Sequence, residues 1–110
     1  MTGQFVWKLP KTGGQPTVIT MGLDETDVFQ IHQGIALAGG NVYMSSRGTT
    51  VSSGLGCCSC GWVLGVPESS SIATPSILWA GKGLPAAITA SSSFVVVTDL
   101  DNKEILVLSP

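Results

Sequence analysis

The residues best able to do chemistry sit together in GCCSCGW, residues 56–62. This stretch holds all three cysteines of the chain, Cys57, Cys58 and Cys60, directly ahead of Trp62. Thiolates this close can ligate a metal, exchange disulfides or cross-link chains. Structural zinc takes four ligands, commonly through C-x-x-C pairs. Here the fourth would have to be His32, the only histidine, 25 residues from Cys57. Thioredoxin-type chemistry wants C-x-x-C at a helix start, whereas the surrounding glycines mark a loop. A disulfide, Cys58–Cys60 or the adjacent pair, would leave one thiol free or able to link chains. The plainer reading is an insertion, GTTVSSGLGCCSCG, that lengthens the connection before the strand WVLGV. No cofactor or metal is expected.

The other candidates divide in the same way. His32 in FQIHQG is able to act as a base or ligand. With no paired carboxylates at a fixed distance, it reads as a hydrogen-bonding surface residue. Asp24, Glu25 and Asp27 place three carboxylates within four positions, a spacing open to Ca²⁺, but the D-x-D-x-D-G pattern is absent and a solvated acidic loop is expected. The DLDN turn at 99–102 reads the same way. Trp7, Tyr43, Trp62 and Trp79 could stack on sugars; Trp7 and Trp62 lie in corresponding strands, which favours repeated packing in a core or subunit interface. The serines at 45–46, 69–71 and 91–93 lack a G-x-S-x-G setting and evident His or Asp partners. The glycine pairs at 13–14 and 39–40 open no phosphate-binding fingerprint. No catalytic residue is expected, and the chain reads as a non-enzyme.

Composition says what must position these groups. Of 110 residues, 44% are hydrophobic and only 11% charged, against roughly 25% charged in ordinary soluble domains. Gly, Ser, Thr and Ala fill the difference, a mixture that suits short strands and tight turns. The net charge of −2, with five scattered Lys and Arg, argues against nucleic acid. No apolar run approaches the roughly 18 residues that span a bilayer. The opening MTGQFVWKLP lacks the pattern of a secretory signal. Localisation is left open, with an extracellular or virion surface favoured by the low-charge, Ser/Thr-rich composition.

Nine apolar or alternating runs stand out: FVWKL (5–9), TVIT (17–20), GIALA (34–38), NVYMSS (41–46), WVLGV (62–66), SILWA (76–80), AAITA (86–90), FVVVT (94–98) and EILVL (104–108). Gly, Pro, Ser, Asn or Asp punctuates nearly every gap, which predicts strands. Gly39-Gly40 and Ser91-Ser92 read as matching two-residue hairpin turns, and Asp101-Asn102 as another turn. Residues 23–33 are expected to form a long acidic loop rather than a helical turn. The runs also repeat. FVWKLP, WVLGVP and ILVLSP are each a strand closed by proline. Pro16 and Pro75 lie 59 apart, and Tyr43 and Val95 lie 52 apart. One single all-β repeat domain is expected over 1–110, with a first repeat at about 5–61 and a second at 62–110. A four-strand repeat near 50 residues has the length of a propeller blade.

The phrase FVWKLPKTGGQPTVIT followed by QGIALAGGNVYMSS resembles blades of bacterial six-bladed β-propellers of the TolB/NHL/YWTD-like group. Lys8-Leu9-Pro10, Gly13-Gly14, Pro16, Gly34-Ile35-Ala36 and Asn41-Val42-Tyr43 fit that pattern in order, while the second copy keeps only its apolarity. The resemblance implies that GIALA and AAITA are innermost strands, where the small residues Gly34, Ala36, Ala38, Ala86, Ala87 and Ala90 let blades crowd together. It implies that Val42, Tyr43, Val95 and Val97 pack between blades. The nine strands then divide into an outer pair, a full four-strand blade and three more: two blades plus one surplus strand.

Two blades cannot close a ring. The chain is therefore expected to assemble with copies of itself, three chains giving six blades, to pair with another chain, or to be part of something longer; a β-sandwich is the alternative fold. The expected function is a non-catalytic structural or binding subunit. The alternative is a carbohydrate-binding lectin of two-blade protomers. An enzyme is disfavoured because the inner strands lack recurring Glu, Asp, Asn or His.

Overall fold

The computed structural model describes residues 5–21, 31–47, 60–71, 73 and 75–110. Cys57, Cys58, Asp24, Glu25 and Asp27 lie outside the described residues, so the acidic-loop and cysteine expectations fall there too. The described chain is all-β, with nine strands in three antiparallel sheets. The strands are β1 (Phe5–Lys8), β2 (Thr17–Met21), β3 (Ile31–Ala38), β4 (Asn41–Arg47), β5 (Cys60–Pro67), β6 (Ser76–Lys82), β7 (Pro85–Ala90), β8 (Val95–Asp99) and β9 (Glu104–Leu108). The first sheet is β1-β2, the second β3-β4-β5-β6 and the third β7-β8-β9, each in sequence order. Strand positions agree with the apolar runs to within a few residues. The main difference is β3, which begins at Ile31, so residues 31–33 belong to a strand and not to the expected loop.

Period-2 alternation explains how the sheets stack. Along β4 and β5, Val42, Met44, Trp62, Leu64 and Val66 form one buried cluster with Val6 of β1 and Ile19 of β2. The intervening Tyr43 and Val63 enter a second cluster with Val95 and Val97 of β8, flanked by Ile88, Ala90, Leu106 and Leu108. The second sheet is thus apolar on both faces and lies between the other two. Each fully buried Val or Leu contributes about 1.5–3 kcal/mol. β8 shows the pattern most simply: Val95, Val97 and Asp99 are buried while Val96 and Thr98 are half-buried.

Close approach of the second and third sheets depends on small residues. β7 packs against β3 and β4, with a lesser contact to β5. A Cβ on Gly34 would lie 2.8 Å from the Ala86 carbonyl oxygen, and one on Gly61 would collide with Cδ of Pro85. Gly34, Ala36 and Ala38 are half-buried while Ile35 and Leu37 between them are exposed. The small side of β3 therefore faces β7.

The two inner hairpins differ, contrary to the expectation of matching two-residue turns. Gly39 and Gly40 carry φ of 57° and 78°, the two positive values that a type I′ turn requires. Between β7 and β8 the loop runs from Ser91 to Phe94, closed by the Ser91 N–H donating to the Phe94 carbonyl at 2.8 Å. The Ser91 Oγ accepts from the N–H groups of Ser93 and Phe94 at 3.2 and 3.1 Å. The longer loop shifts the correspondence between the two sheets by one residue. Met44 pairs with Leu64 and Val42 with Val66, as Val97 pairs with Leu106 and Val95 with Leu108. Tyr43 therefore corresponds to Val96, not to Val95. A one-residue slip exchanges the two faces of a strand, so the correction decides which face is which.

Candidate functional site

The strand pairing brings together few of the polar candidates. Cys60 opens β5 opposite Lys82, and His32 sits in β3 opposite Ser46. Among the described residues no group of three or more His, Cys, Asp or Glu is placed to hold a metal ion. Ser45 is wholly buried, and its Oγ donates to the Ala86 carbonyl at 2.5 Å, joining the second sheet to β7.

The four aromatic candidates are divided among different environments. Trp62 and Tyr43 are buried, one in each cluster, and Trp79 is half-buried against the second. Trp7 is 55% exposed. The two tryptophans of corresponding strands are therefore used differently.

Trp7 helps to form an apolar groove of about 280 Å³ between β1 and β3. Val6, Trp7 and Leu9 supply one side, and Ile35, Leu37 and Val42 the other. Ile35 and Leu37 are more than half exposed, as is Leu9. Lys8, Lys11 and Glu68 are its charged lining. The groove exists because the first sheet has two strands where the second has four, so Val6 and Ile19 cover β4 and β5 but leave β3 open. At the far end of the molecule, Ile105 and Val107 project from β9 on the face turned away from the second sheet, and both are more than half exposed.

One chemically specific arrangement was not visible as such in the sequence. Asp99 was expected in a solvated turn, yet it is only 1% exposed. Its Oδ1 accepts from the N–H of Leu84 at 3.0 Å and of Asn102 at 3.3 Å; its Oδ2 accepts from Asn102 Nδ2 at 2.7 Å. The Asn102 amide also donates to the Lys82 carbonyl at 2.9 Å. Burial pushes the Asp99 carboxyl up, but hydrogen bonds from the Asn102 side chain and from the backbone of Leu84, Asn102 and Asp101 outweigh it and hold the carboxyl below its ordinary value. Gly83 makes room, since a Cβ there would lie 2.5 Å from Oδ2. The carboxylate thus fastens the β6–β7 connection to the β8–β9 turn. The D-x-x-N spacing at 99–102 was the available signal, because Asp commonly closes its own following turn.

No helix among the described residues is long and apolar enough to cross a bilayer. No protein-family model, curated protein or solved structure gives a significant match to this chain.

Proposed function

We propose that the chain is a non-catalytic structural or binding subunit that assembles with copies of itself through blade-like β repeats. In this reading the second sheet is one propeller-type blade, the first sheet is the outer half of the blade before it, and the third sheet is the inner part of the blade after it. What supports the reading is the order of the strands, two, four, then three, with each sheet an antiparallel meander stacked on the next.

The observation that carries it is the state of the two ends. The second sheet carries a buried cluster on each face, but its groove at Ile35 and Leu37 and the outer face of β9 at Ile105 and Val107 leave large apolar side chains in water. Repeats that bury one another's faces leave such surfaces wherever the stack is interrupted. A mass measurement by light scattering across a range of concentrations tests the reading. Masses at integer multiples of the 11.3 kDa chain are expected, and a monomer throughout the range would refute it.

A further inference from the structure

We propose that assembly is head to tail, with the outer face of β8–β9 of one copy seated in the Ile35–Leu37 groove of the next; this rests on the self-assembly reading above. The argument comes from the contact already made inside the chain. The pairs Tyr43–Gly65 and Ser45–Val63 of the second sheet correspond in register to Val96–Val107 and Thr98–Ile105 of the third. The former pairs lie on the face that the third sheet covers, where Tyr43 and Val63 are buried. The latter pairs are the same face one repeat later, with nothing of the described chain packed on β9 there.

The opposite surface corresponds equally well. Ile35 opposite Met44 and Leu37 opposite Val42 match Ile88 opposite Val97 and Ala90 opposite Val95. In the third sheet those four residues make the contact with the second sheet. In the second sheet Val42 and Met44 are covered by the first sheet, while Ile35 and Leu37 remain open. The molecule therefore carries, open at opposite ends, the two kinds of face that meet inside it, where β7 is the strand packed on β3. A second copy is the one partner known to carry the complement.

The strand count fixes how the copies meet. β1 and β9 are each the last strand of their sheet on the open side, and both hold the third place in the four-strand repeat. The third sheet of one copy and the first sheet of the next would share one layer, with β9 lying beside β1. That arrangement sets β8 and β9, rather than β7 and β8, over the groove. It brings Ile105 and Val107 onto Ile35 and Leu37, the apolar residues most in need of cover. Contacts of this kind join unlike surfaces, and so either close into a ring or continue as a filament.

The test is complementation between two variants of the full chain, Leu37→Glu in the groove and Val107→Glu on the far face, each checked for strand content by circular dichroism. Each alone should require at least about tenfold more protein to assemble than the unaltered chain, because each would bury an unpaired carboxylate. Mixed in equal amounts, they should form a one-to-one dimer that grows no further, since one surface of each is intact. Should either variant lose its strand signal, Ile35→Thr and Ile105→Thr replace it with the same expectations at smaller amplitude. Assembly of either variant like the unaltered chain, or a mixture that fails to dimerise, would overturn the head-to-tail contact while leaving self-assembly standing. A monomeric unaltered chain would remove the self-assembly reading itself.

Discussion

The two faces of the third sheet carry the same kind of residues and meet opposite fates. On the inner face Val95, Val97, Leu106 and Leu108 pack against Tyr43 and Val63 of the second sheet. On the outer face Val96, Ile105 and Val107 continue the alternation, yet Ile105 and Val107 stay more than half exposed. Hydrophobicity alone does not separate them. What separates them is the neighbour, which on the inner side offers Gly34 and Gly61, so that its backbone closely approaches Ala86 and Pro85 of β7. In the proposed self-assembly, the exposed face is the counterpart of the covered one, filled by the next copy.

Six substitutions are able to break or sharpen this comparison. The largest effect is expected at Val63, which is fully buried where its counterpart Ile105 is open. Val63→Asp should lower stability by about 4 kcal/mol or more, while Ile105→Asp should leave the stability of the single chain within about 0.5 kcal/mol. Urea unfolding of dilute protein reads both, and equal losses would erase the distinction between the faces. Next comes Gly61→Ala, whose new methyl meets the Pro85 ring. A loss of about 1–3 kcal/mol is expected, and a neutral result in thermal unfolding would mean that the second and third sheets are not held this close.

The Asp99 staple sharpens the comparison on the covered side. Asp99→Ala leaves the N–H groups of Leu84 and Asn102 without their acceptor, at a cost of about 1–3 kcal/mol. The pH dependence follows from the direction of the shift. The folded carboxyl lies below its ordinary value of 3.8, so the unfolded chain takes up the proton first as acid is added. Its contribution is fully present above the unfolded value and declines as pH falls through it toward the lower folded value. Stability curves of the unaltered chain and Asp99→Ala should therefore converge in acid below about pH 4; a constant gap down to the lowest pH would contradict the staple. The smallest effects belong to the hairpins. Gly40→Ala should cost about 1 kcal/mol because its φ is 78°, whereas Ser91→Ala loses two exposed acceptor contacts and should cost about 0.5 kcal/mol. Melting temperatures of the two variants test that order.

Much of the architecture was legible in the chain itself. The punctuated runs marked all nine strands, and the resemblance to propeller blades implied their grouping as two, four and three. Register was less legible. Gly39-Gly40 and Ser91-Ser92 look alike as turn signals, but only glycines accept two positive φ values, and the serine hairpin takes four residues instead. That difference moved the repeat alignment by one and exchanged the faces of β8. The candidate site was legible only in part. Trp7 and Trp62 look equivalent in corresponding strands, and what separates them is which neighbouring sheet is present, a fact no local pattern records. Asp99 was hidden for a related reason: its partner Leu84 lies 15 residues earlier, and Lys82, which accepts from Asn102, lies 20 residues before that asparagine.

Hydrogen exchange of the unaltered chain, followed as its concentration is raised, tests the central claim most directly. The amides of β4, β5 and β8, already covered on both sides by paired strands, should exchange slowly at every concentration. Those of β3 near Ile35–Leu37 and of β9 near Ile105–Val107 should become protected together as chains associate. Protection at both ends that does not change with concentration, or that appears at one end alone, would contradict the account.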